Sequence, residues 1–108
     1  MKIALIIDDE QKRSLGDCLS SAVVFSVYDS AIKSFYDVEP PDLLDDGKKA
    51  YELSLFFKDR KIDVVVGKDF GPKAKAALEE NNIQWFTAED EMNNDKLVNI
   101  ILKKINHE

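Results

Sequence analysis

Cysteine and histidine are almost missing from this chain, which holds one of each, Cys18 and His107. A single thiol excludes an internal disulfide and a closed four-thiolate metal cage. One histidine beside the C-terminus reads as a frayed surface residue, and no Ser-His-Asp or Cys-His arrangement is readable. Glycine is scarce, with four in 108 residues, and their spacing fits neither a P-loop nor a dinucleotide fingerprint. Apolar runs are short. Those around Ile3–Ile7 and Ile62–Val66 fall far below a bilayer's width, and Asp8, Asp9 and Glu10 cut off what could imitate a secretory signal. Bases are the minority, 15 against 21 acids for a net charge of −6. That argues against bulk binding to nucleic acid or an anionic membrane, though not against a small local anion site.

What is present suffices to fold. Hydrophobic residues make up 44% of the sequence, enough for one core, and the length leaves no room for two. A single domain over 1–108 in a reducing cytoplasm is expected. Ile3 to Ile7 is a continuous β-branched and aliphatic run, the mark of a strand buried on both faces. A polar stretch from Asp9 to about Ser21 fits a loop or a short helix. Val23–Tyr28 and Ile32–Val38, separated by the turn signal Asp29-Ser30, form a candidate hairpin that Pro40-Pro41 ends. Ala50, Leu53 and Phe57 share one face of a helix expected between Gly47 and Lys61. Ile62–Val66 is a second buried strand, with Gly67 ending it. Pro72 opens a helix with Ala74, Ala77 and Leu78 as its apolar stripe, and Asn81-Asn82 stops it. Ile83–Phe86 is a last strand, and Leu97, Val98, Ile101 and Ile105 mark a last helix. Trp85 and Phe86 are expected in the core.

The order β-β-β-α-β-α-β-α predicts an α/β fold with a mixed sheet of about five strands and helices on its faces. Ligands in such sheets bind at the carboxyl ends of the parallel strands, here Asp8–Asp9, Gly67–Phe70 and Thr87–Glu89. Gly67-Lys68-Asp69-Phe70-Gly71-Pro72-Lys73-Ala74 is the most informative stretch. A helix start attracts anions through its open N–H groups, and Lys68 and Lys73 add positive charge. Asp8-Asp9 could hold a magnesium ion as in a receiver domain, but no lysine closes the last strand and a hairpin stands where a receiver has a helix. Cys18, with Asp17, Ser20 and Ser21 around it, fits either a buried small side chain or a loop thiolate for a soft metal. One thiolate would need a preassembled cluster. The acids between Asp37 and Asp46 fit a solvated loop with capping carboxylates.

Three parts of the chain resemble the dinitrogenase iron–molybdenum cofactor biosynthesis family. They are Met1-Lys2-Ile3-Ala4, the Phe-x-x-Tyr-Asp strand within Ala22–Asp29, and Ile62-Asp63-Val64-Val65-Val66-Gly67 with Gly71-Pro72-Lys73-Ala74, Leu78 and Ile83. The resemblance implies a ribonuclease-H-like three-layer fold and binding or carrying of iron- or molybdenum–sulfur clusters. The family often carries His-Phe-Gly-Arg-Ala before its second strand. Cys18-Leu19-Ser20-Ser21-Ala22 stands there in this chain, with only the alanine retained, so the resemblance puts Cys18 at the histidine position, where a thiolate could replace an imidazole as cluster ligand.

A non-catalytic, cytoplasmic carrier of a metal–sulfur cluster or similar anion is therefore the expectation. Cys18 would ligate the metal, and Gly67, Lys68, Phe70, Gly71 and Lys73 would hold the anion. A protein that donates or accepts the cluster is the expected partner, with no nucleic acid and no membrane, and the chain itself a monomer or weak dimer. The alternatives are a metal-free interaction or regulatory module using the acidic segment Asp37–Asp46, or a magnesium enzyme using Asp8 and Asp9.

Overall fold

Burial on both faces puts the first apolar run in the middle of a sheet. In the computed structural model, which describes residues 1–9, 14–15, 22–41, 49–88 and 94–106, Ile3 through Ile7 have no exposed surface. They belong to β1 (Lys2–Asp9). On one side lies β3 (Val24–Asp29), antiparallel, with Lys2 opposite Asp29 and Ile7 opposite Val24. On the other lies β5 (Val64–Gly67), parallel, with Ile3 aligned to Val64 and Leu5 to Val66. The hairpin is completed by β4 (Ser34–Val38), antiparallel to β3. The far edge is β6 (Gln84–Thr87), parallel to β5. The order β4-β3-β1-β5-β6 is therefore a mixed sheet of five strands. The expected sequence of elements is present, with one addition. A two-residue strand, β2 (Ser14–Leu15), pairs antiparallel with the end of β1, inside the stretch whose periodicity gave no decision. Two residues are too few to show a period.

The strand period of two sorts side chains onto two faces. Ala4, Ile6, Phe25, Val27 and Val65 pack with Leu53 and Phe57 of α1 (Lys49–Asp59) and Ala74 and Leu78 of α2 (Pro72–Glu80). Ile3, Leu5, Ile7, Val64 and Val66 pack with Leu97, Val98 and Ile101 of α3 (Asn94–Asn106). Among the described residues, two helices cover one face and one the other. Phe25 meets Phe57 edge-on at 4.8 Å between ring centres, the offset geometry that the ring quadrupoles favour. Ser54 is the buried polar side chain of α1. Its hydroxyl donates to the Tyr51 carbonyl at 2.7 Å and accepts from Asn81 Nδ2 at 2.8 Å, tying α1 to the end of α2.

Both helices that precede a parallel strand end in the same way. After α1, Ile62 N–H returns to Phe57 O at 3.0 Å and Lys61 N–H to Lys58 O at 3.0 Å. After α2, Ile83 N–H returns to Leu78 O at 2.9 Å and Asn82 N–H to Glu79 O at 3.1 Å. This is the Schellman pattern, with its apolar contact across the turn, since Ile62, Phe57, Ile83 and Leu78 all lie in the same core cluster. Lys61 and Asn82 take the left-handed position, with φ of 59° and 60°. Asn81-Asn82 thus stops α2 as expected.

Ile32 departs from expectation. It sits in the hairpin turn, 63% exposed, and not in the strand. Asp29 Oδ1 accepts the Ala31 N–H at 2.9 Å and Lys33 has φ 51°, so the turn needs residues 30–33 and β4 begins only at Ser34. Trp85 and Phe86 also depart. Both are half-buried on an edge strand and not enclosed.

Candidate functional site

The three parallel strands deliver the chemistry-bearing residues to one edge of the sheet. β1 continues to Asp8 and Asp9 beyond the level where β5 stops, and β2 lies beside this overhang with Leu15 opposite Ile7. β5 and β6 end together, Gly67 aligned with Thr87, and Ala88 N–H donates to Gly67 O at 3.0 Å. Because β3 and β4 are antiparallel and parallel to β1 respectively, the start of β3 and the end of β4 lie at this edge too, with Val38 opposite Phe25. Val23 N–H donates to Ile7 O at 2.8 Å. The described residues that flank Cys18, Leu15 and Ala22, therefore belong to this edge. Cys18 lies outside the described residues, as do most of the acidic segment, from Asp42 to Asp46, and His107.

The loop between β5 and α2 is anchored at one point. Gly67 is a buried member of β5, and no described glycine has a positive φ, so it acts as a strand end and not as a left-handed turn. Lys68 and Asp69 are exposed. Phe70 turns its ring into the core, 3% exposed, where it meets Trp85 edge-on at 5.9 Å. Its N–H is taken by Asp69 Oδ1 at 2.8 Å. Phe70 thus fixes the loop with its side chain, and its amide already has an acceptor.

The start of α2 is open. Gly71 is the N-cap, extended at φ −68° and ψ 163°, with no side-chain cap on the helix and no acid in its first turn. A Cβ placed on Gly71 would meet nothing within 4 Å, so packing does not demand glycine there and the space above it is clear. The first helical bond is Lys75 N–H to Gly71 O at 3.1 Å. Pro72 has no N–H, which leaves the Lys73 and Ala74 N–H groups without an intrahelical acceptor. Lys73 is exposed beside them. Partial positive charge at a helix start and two lysines nearby can hold a small anion.

The fold brings Gly67, Lys68, Phe70, Gly71 and Lys73 into this one loop and places Asp8 and Asp9 at the same sheet edge. Asp69 is the residue that sequence reasoning passed over. Its signal was present, an aspartate ahead of a helix start, but which N–H it would take depends on the loop's path. Among the described residues, no group of three or more His, Cys, Asp or Glu is gathered as metal ligands. Among them also, no helix is long and apolar enough to cross a membrane.

The family model described as dinitrogenase iron-molybdenum cofactor matches residues 1–104. Among solved structures, the chain is similar to that of PH0822, with 19% identity, 95% of this chain and 92% of the other covered, and a TM-score of 0.76. It is similar to the apo form of the orange protein from Desulfovibrio gigas, with 16% identity, 95% and 88% covered, and a TM-score of 0.75. The third is an NMR structure of a NifB-like protein of the DUF35 family from Thermotoga, with 13% identity, 94% and 87% covered, and a TM-score of 0.70. At these identities the likeness is one of fold. No match is found among curated proteins.

Proposed function

The chain belongs to the dinitrogenase iron-molybdenum cofactor family, and we propose that it is a non-catalytic carrier whose cargo is an iron- or molybdenum–sulfur cluster or a similar anion. One observation carries the reading. The uncapped start of α2, with no acid in its first turn, opens at the same sheet edge from which the segment containing Cys18 leaves and returns. A cluster carries negative charge on its sulfides. The Lys73 and Ala74 N–H groups, with the ammonium groups of Lys68 and Lys73, would stabilise that charge, and the Cys18 thiolate would bind a metal of the cluster. Gly71 leaves room for a cargo to approach the backbone. Phe70 would act through its core-anchored ring by fixing the loop. One protein thiolate plus hydrogen bonds suits reversible holding better than a closed cage does.

The same site carries the rest of the reading. The chain would work as one domain in a reducing cytoplasm, receiving its cluster from one protein and passing it to another. A ribonuclease-H-like assignment is supported by the sheet order. With the two-residue β2 set aside, three antiparallel strands are followed by two parallel ones, and helices cover both faces.

The test is an anaerobic titration with a thiomolybdate or iron–sulfide cluster, followed by visible absorption. Wild type should bind saturably, and Cys18→Ala should bind at least tenfold more weakly, about 1.4 kcal/mol. Equal affinity in both would remove Cys18 from the site. No binding in either would overturn the carrier reading.

A further inference from the structure

β6 is the last strand of the sheet, and among the described residues no strand pairs with its outer edge. Its hydrogen bonds show which groups face outward. Gln84 N–H donates to Asp63 O and Ala88 N–H to Gly67 O, each at 3.0 Å. Bonding direction alternates along a strand, so the N–H and C=O of Trp85 and Thr87 point away from β5. An open groove runs along this edge, lined by Glu79, Asn82, Ile83, Gln84, Trp85 and Phe86. The indole of Trp85 lies between two charges one turn apart on α2. Lys75 Nζ is 4.9 Å from its ring centre, and its Nε1 donates to Glu79 Oε1 at 3.3 Å.

We propose that this edge takes a second copy of the chain, β6 against β6, antiparallel about a two-fold axis normal to the sheet beside Trp85. The charges single out this occupant. The axis keeps both α2 helices on one face and reverses the second. Since Trp85 lies between Lys75 and Glu79, Lys75 comes level with the partner's Glu79, and Glu79 with the partner's Lys75. The surface is complementary to itself, as a two-fold interface must be. Trp85 is outward-facing, so it exchanges two backbone bonds with the partner's Trp85, and opposed residues of an antiparallel pair share a face. The two sheets become one, and both β6 edges are covered, leaving a β4 at each end. Two four-residue strands with their flanking helix faces make a small interface, so the dimer is weak, with a dissociation constant on the order of 100 µM.

Sedimentation velocity from about 1 µM to about 1 mM spans that range. Wild type should pass from monomer to dimer. Lys75→Glu and Glu79→Lys each place like charges opposite one another twice and should weaken the dimer at least about tenfold, while the double swap should restore it. Thr87→Pro removes an outward N–H that β5 does not use, a substitution an edge strand tolerates, and should also weaken the dimer. Emission from Trp85, the sole tryptophan, checks at low concentration that each variant is folded. A wild type that stays monomeric throughout, a dimer indifferent to both single reversals, or a double swap without recovery would each overturn the proposal.

Discussion

Lys61 closes α1 in the left-handed region at φ 59°, where a Cβ crowds the following carbonyl. Its neighbour Ile62 imposes the position. Ile62 must turn into the core, and its N–H must reach Phe57 O. Lysine bears the strain because the turn is exposed there. Lys61→Gly should therefore raise stability by about 0.5–1 kcal/mol, once the greater freedom of unfolded glycine is subtracted. Asn82→Gly should gain less, because asparagine tolerates this region. Urea unfolding reads both as a midpoint shift at constant slope, and an unchanged or lowered midpoint in Lys61→Gly would contradict the strain. The turn after α1 was not legible in the sequence, because nothing about a lysine marks a left-handed position. The Asn81-Asn82 stop was, since asparagine supplies its own reason for ending a helix.

At the scale of elements, α2 and the loop before it would decide what the sheet edge can bind. The glycine, the Gly-Pro start and the two lysines of 67–74 were readable as a candidate anion site because each residue has a local cause. What the sequence withheld was competition within the loop. Asp69 places a carboxylate beside the open helix start and occupies the Phe70 N–H. Toward an anionic cargo it would act as a built-in competitor, weakening binding and easing release. Asp69→Ala removes the charge and frees the amide. Cluster affinity should rise about three- to tenfold, within the range for one nearby charge-assisted hydrogen bond, and Lys73→Gln should lower it by a similar factor. Titration of both variants under the same anaerobic conditions checks the pair. Tighter binding in Lys73→Gln, or weaker binding in Asp69→Ala, would place the anion elsewhere. The hairpin shows the same limit on legibility. Its strands were visible as apolar runs, but the Asx bond from Asp29 to Ala31 carried Ile32 out of the strand, and hydrophobicity alone gave no warning.

Across the whole molecule, the continuous run Ile3–Ile7 and the run Ile62–Val66, of which β5 takes only Val64 onward, marked buried strands because both of their faces need cover, and β1 and β5 lie side by side with a core on each face. Strand order and the division of helices between faces are not local properties, and the sequence pattern left both open. This layering predicts how the protein opens. Among the described residues, two helices, joined by the Ser54–Asn81 bond, cover one face, whereas α3 is the one helix on the other, through Leu97, Val98 and Ile101. Local opening costs least where few buried contacts are broken. Native-state hydrogen exchange at low protein concentration should therefore find three tiers. The amides of β1 and β5 should exchange only through global unfolding, on the order of 5–10 kcal/mol for a domain of this size. Those of α3 should exchange through a partial opening at least about 2 kcal/mol cheaper. The outward N–H groups of Trp85 and Thr87, facing the open edge, should exchange faster than the paired amides of the central strands. Detaching α3 uncovers Val64 and Val66 on one face while α1 and α2 still cover Val65 on the other, so the sheet survives the opening. Equal protection of α3 and β1 would instead mean that both layers unfold as one unit.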